Sequence, residues 1–222
     1  MAAGAMPVLA IPLFVMGVMP LTAEALYLVI PLALLTVALV LHGSTEAMWA
    51  LKGLIAGVAG VAVYDTVRIP MVVAGIWPDF IPRLGAWVVG SDEDQPFVGY
   101  LWRYLGDGGG IGMAFFVFCR AVASFRPSLI TARPALLSVG YGVFIWCGLL
   151  ATVVLPPHGS DLLFALTPES FCLSLLGHLI YGTVLGLFLS RAVTDVLRPE
   201  VTAAFCDMAP AGKHKSPFAS EA

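Results

Sequence analysis

Charge is what this chain has least of. Only 11% of its 222 residues are Asp, Glu, Lys or Arg, against about 25% in an ordinary soluble domain. So few charges cannot cover a water-facing surface, and 59% of the residues are hydrophobic, with a mean hydropathy of +0.94. Basic clusters are missing as well. The formal net charge is -3, and no stripe of Lys and Arg tracks a phosphate backbone, which excludes nucleic acid as a partner.

Chemistry-bearing motifs are equally scarce. The four cysteines, Cys119, Cys147, Cys172 and Cys206, lie far apart and form no C-x-x-C. Cys119, Cys147 and Cys172 fall within apolar runs and are read as small hydrophobes. No histidine pair has zinc spacing. No G-K-[ST] follows the glycine-rich stretch, so there is no P-loop. No G-x-S-x-G marks a serine nucleophile. The acidic run Ser91-Asp92-Glu93-Asp94 lacks EF-hand spacing and reads as a solvated turn. No basic region precedes Met6–Met19, which disfavours a cleaved secretory signal.

What the chain has is long apolar runs, each near the roughly 20 residues that cross a bilayer. About six are expected, with five as the alternative: Ala3–Met19, Ala23–Leu41, Thr45–Ile69 or beyond, Phe97–Ala123, Pro134–Leu155 and Pro168–Val193. The first is short and broken by Pro7 and Pro12, so a re-entrant element is the other reading. Ser44 and Thr167 are predicted caps, and Pro168 suits a first helical position. Pro70 is predicted to bend or break its helix, with Met71–Trp77 continuing the span. Residues 80–90, between Pro78 and Pro96, read as a short piece at the membrane surface.

The fold expected is therefore an all-α polytopic transmembrane bundle, a single membrane domain over residues 1–206, with a polar disordered tail over 207–222. Its partners are the lipid bilayer and either a second copy or another membrane subunit. Arg120, Arg126, Arg133, Arg191, Arg198 and Lys52 fall on one side if the connectors alternate, and the acidic connectors fall on the other. The positive-inside rule then puts the C-terminus in the cytoplasm.

Inside these runs lie a few polar groups that lipid does not tolerate without partners. Asp65 and Arg68 sit in G-L-I-A-G-V-A-G-V-A-V-Y-D-T-V-R-I-P. They either pair at i and i+3, snorkel to an interface, or form a proton, ion or headgroup site. Gly53, Gly57 and Gly60 share their helical face, and Tyr64 continues it. The stretch Tyr104-Leu-Gly-Asp107-Gly-Gly-Gly-Ile-Gly112 has five glycines in seven positions. It implies close helix packing or local unwinding, since each Gly costs about 1 kcal/mol against Ala. Arg103 and Asp107 pair with each other, or with Asp65 and Arg68 in space.

His178 is the one histidine placed well inside a span. It is hydrogen-bonded to a neighbour or, less simply, holds a haem or metal. No cofactor is expected beyond that option. The candidate ligand- or ion-binding residues are Tyr64, Asp65, Arg68, Arg103, Tyr104, Asp107 and His178. On this reading Asp65 or His178 changes protonation, and Arg68 or Arg103 holds an anionic group. The function expected is binding or translocation of a small molecule, ion or lipid headgroup. The alternatives are an accessory subunit of a membrane complex and a haem- or metal-dependent redox protein. No catalytic residue is visible.

Overall fold

The structure is a computed structural model that describes the backbone of residues 1–208 and the side chains of residues 1–194. Among the described residues every regular element is helical. Five helices are long and apolar enough to cross a membrane: α2 (Leu21–Leu41), α3 (Thr45–Val73), α5 (Pro96–Phe125), α7 (Pro134–Val154) and α9 (Pro168–Met208), the last apolar over Pro168–Thr194. Shorter helices fill the connections: α1 (Ala2–Val15), α4 (Ile81–Val89), α6 (Pro127–Thr131) and α8 (Gly159–Leu162). The chain is thus an all-α membrane bundle. α9 reaches Met208, past the expected domain end, and the remainder of the polar tail lies outside the described residues.

Local chemistry sets the helix ends. The Ser44 hydroxyl accepts from the Ala47 N–H at 3.2 Å and caps α3. At α9, Ser170 N–H donates to Thr167 Oγ1 at 3.2 Å while Thr167 N–H donates to Ser170 Oγ at 2.9 Å, a reciprocal capping box. Pro70 lies within α3 without ending it: the span continues through Met71–Val73 and stops there, short of the expected Trp77. Gly75 at φ 71° reverses the chain there, a conformation that an L side chain rarely adopts.

The core joins α3, α5 and α9. Trp49, Ala56 and Val61 meet Ile111, Phe115, Phe116 and Cys119, with Tyr181, Leu185 and Leu189 closing the third side. α3 and α5 touch backbone to backbone: a Cβ on Gly57 would meet the Gly108 carbonyl, and one on Gly53 the Gly112 carbonyl. The glycine-rich stretch does not unwind there. It stays helical but widens to π geometry over Trp102–Gly109. A second π turn, Ala25–Val29, precedes Pro31 in α2. Pro31 has no N–H to give an α-type bond, and the wider turn accommodates that.

The first apolar run forms a helix of 14 residues, with Pro7 and Pro12 inside it. At 1.5 Å per residue it is about 21 Å long, short of the roughly 30 Å of a bilayer core. It lies antiparallel to the first half of α5, with Gly4 against Gly110 and Pro7 against Gly106. The segment expected at the membrane surface is α4. It buries Ile81, Leu84 and Ala86 against protein, packing on the start of α5 and of α2. By contrast, Ile30–Leu41 of α2 buries no residue at all.

Candidate functional site

Asp65 and Arg68 are both 2% exposed, so both charges are inside the protein. They do not pair with each other. Asp65 accepts from Arg103 Nη2 at 2.5 Å and from Arg103 Nε at 3.1 Å, across the α3–α5 seam. Arg68 Nη2 donates to Asp79 Oδ1 at 2.5 Å, beyond the end of its own helix. The expected i, i+3 pair is therefore replaced by two longer-range pairs. The reason is geometric: a three-residue offset sets the two side chains side by side, while each has a better oppositely charged group facing it.

The Asp79 group is a small network. Tyr100 O–H donates to Asp79 Oδ2 at 2.9 Å, and the Ile81 N–H donates to Oδ1 at 3.2 Å. Burial alone would raise the Asp79 carboxyl. The hydrogen bond and charge of Arg68, with the Tyr100 and Ile81 donors, outweigh it and hold the group below its ordinary value. Neither Asp79 nor Tyr100 stood out in the sequence. Asp79 sits in a proline-flanked connector, where a lone carboxylate reads as solvated.

The other half of the cluster surrounds Arg103. Its guanidinium lies 5.0 Å from the centre of the Tyr64 ring, a cation–π arrangement that spreads a buried charge over an aromatic face. The Tyr64 ring in turn sits 6.0 Å from that of His178. His178 Nδ1 is 2.7 Å from the Ser174 carbonyl. A carbonyl only accepts, so Nδ1 carries the proton, and in the neutral ring Nε2 presents a lone pair. Tyr181 donates to the Gly108 carbonyl at 2.6 Å. Tyr104 packs against the core cluster.

Asp107, one turn beyond Arg103, does not pair with it. Its Oδ1 is buried without a hydrogen-bond partner. The Trp102 indole lies near this carboxyl but outside hydrogen-bond geometry, and its own Nε1 is also unpartnered.

These groups form one wall of a cavity of about 520 Å³, within the roughly 300–1,000 Å³ of small-molecule sites. Tyr64, Arg68, Arg103, Asp107, His178 and Tyr181 line its polar side, whereas Asp65 stays behind Arg103. Val8, Ile11, Val61, Ile111, Ile145, Leu149 and Phe164 line the rest, and Trp77 and Phe80 lie toward the connector after α3. Trp77 Nε1 is a further buried donor without a partner. Four lining residues are exposed, Leu9 on α1 at 51% and, on α7, Phe144 at 69% with Cys147 and Gly148. The cavity therefore opens sideways, between α1 and α7, on an apolar outer face of the bundle.

Of the residues predicted from sequence, Tyr64, Arg68, Arg103, Asp107 and His178 share this cavity, and Asp65 is one bond away. Among the described residues, no three His, Cys, Asp or Glu side chains come together to hold a metal ion. Comparison with family models, with curated proteins and with solved structures finds no match, so a role for this chain is argued from the site itself.

Proposed function

We propose that this membrane protein binds a small amphipathic molecule drawn from the bilayer, in the cavity between α1, α3, α5, α7 and α9. One observation carries the reading: a cavity of about 520 Å³ that is apolar over most of its lining, polar along one wall, and open toward lipid between Leu9 and Phe144. Ionisable groups at membrane depth are expensive, and those that line a cavity point to a ligand or ion path. The apolar part suits a hydrocarbon body, and the polar wall suits a headgroup.

With alternating connectors, the half of the bundle that holds the cavity lies on the side of Asp79, Asp92 and Asp161. The basic connector Arg126–Arg133 lies on the other side, which the positive-inside rule makes cytoplasmic. The ligand would then enter from the outer leaflet.

The test uses Gly148, which lines the cavity and has open space where a Cβ would stand. Gly148→Phe is expected to fold normally and to fill the mouth. Protein purified in mild detergent is extracted with organic solvent, and the extract is analysed by mass spectrometry. A molecule present at a fixed ratio to wild-type protein and lost in Gly148→Phe supports the reading. Equal recovery from both proteins, or no retained molecule, counts against it.

A second reading, an accessory subunit, rests on Ile30–Leu41, a helix stretch that buries nothing within its own chain. It predicts a protein partner that co-purifies and is released by bulky changes on that face, such as Ala33→Trp.

A further inference from the structure

Three carboxyl groups, Asp107 on the polar wall and Asp65 and Asp79 behind it, stand against two guanidinium groups, and that imbalance selects the ligand. Two guanidinium groups stand at the cavity, and each is already answered by a carboxylate, Arg103 by Asp65 and Arg68 by Asp79. Neither arginine has a charge left over to hold an anion. The carboxyl of Asp107 is a third acidic group; among the described residues it makes no ion pair, and Arg103, one turn away, is engaged by Asp65. His178 adds another acceptor, because Ser174 fixes its proton on Nδ1. An unpaired carboxylate away from water is costly, and an opposite charge placed beside it removes most of that cost.

We infer that the cavity takes a lipophilic cation, an amine-bearing amphiphile whose ammonium group sits at Asp107 and whose chain runs toward the mouth at Phe144. The inference rests on the binding role proposed above and narrows it to one charge class. Trp77, Phe80, Tyr64 and Tyr181 at the same cavity provide aromatic surface, which tolerates a cation better than aliphatic walls do. An anionic headgroup would instead have to displace Asp65 or Asp79 from an ion pair.

The experiment places the full chain in phosphatidylcholine nanodiscs and measures equilibrium binding of three probes with the same tail: dodecylammonium, dodecanol and dodecanesulfonate. Dodecylammonium is expected to bind saturably and at least about tenfold more tightly than the other two, a difference equal to one decade in Kd. Asp107→Asn is expected to abolish that preference, and Asp107→Glu, which keeps the charge, to retain most of it. Gly148→Phe should weaken all three probes.

Equal binding of dodecanol and dodecylammonium, unchanged in Asp107→Asn, would overturn the charge class but leave the cavity as a binding site. Preference for dodecanesulfonate would overturn it too. Binding of none of the probes would remove the binding role itself. If Asp107→Asn fails to fold, the comparison of the three probes on wild-type protein still decides the matter.

Discussion

Asp65 has one structural duty that can be weighed directly: it neutralises Arg103 inside the protein. Asp65→Asn leaves that guanidinium uncompensated, and breaking a buried pair from one side costs about 3–5 kcal/mol. The thermal midpoint in detergent is expected to fall accordingly, with a smaller loss in Asp65→Asn/Arg103→Gln than in either single variant. Additive losses would mean that the two residues do not act as a pair. Asp79 carries a pH signature. Its carboxyl is held below the ordinary value in the folded protein, so its contribution is present above the unfolded value of about 3.9 and lost as pH falls through the folded one. Acid unfolding of the wild type is therefore expected to steepen below about pH 4, and Asp79→Asn should flatten that limb while lowering stability at neutral pH. If the variant keeps the wild-type acid limb, another group is responsible. The buried charges of α3 and α5 were legible in the sequence, because charge in an apolar run is rare. Their partners were not. Arg68 finds Asp79 around a turn set by Gly75, and nothing in helical periodicity points to a residue beyond the end of the helix.

At the scale of elements, α3 and α5 stand close enough that glycine alone fits between them. Gly57→Leu would drive its side chain into the Gly108 carbonyl. The expected result is separation of the seam and a loss of roughly 3 kcal/mol or more, in the upper range for overpacking, read as a lower yield of folded protein and a lower melting point. Gly140→Leu, where the space for a Cβ is open, should change neither by much. Ser44 and Thr167 were readable as caps and perform as caps, since capping depends on residues close in sequence. Three features were not readable in this way. The first run looked like a span or a re-entrant piece, and its true partner is fixed by Gly4 meeting Gly110, a match that only packing reveals. The stretch from Tyr104 to Gly112 allowed both unwinding and close packing; close packing is what forms, but the widening of the helix there to π geometry was not legible. The cavity was invisible, because an empty volume is a property of how α1 and α7 diverge and not of any residue.

For the molecule as a whole, the helix order sets which connectors share a side. Residues 91 and 160 fall on one side and residue 128 on the other, given one crossing by α5 and a return by α7. In a background with the native cysteines replaced, Ser91→Cys and Ser160→Cys are expected to react with a membrane-impermeant maleimide from outside intact cells. Ser128→Cys should react only after permeabilisation. The inverse pattern would reverse the orientation proposed from the basic residues, and labelling of all three from one side would contradict the crossing pattern itself. The same helix order also imposes a timetable. α1 is too short to cross a bilayer alone, and the face that receives it, on α5, is synthesised roughly a hundred residues later, a long wait for a non-local contact. Until α5 enters the membrane, α1 has no groove to occupy and must wait at the interface. The α1 side of the cavity thus forms out of chain order, only once α5 has arrived, and α7 and α9 close the site afterwards.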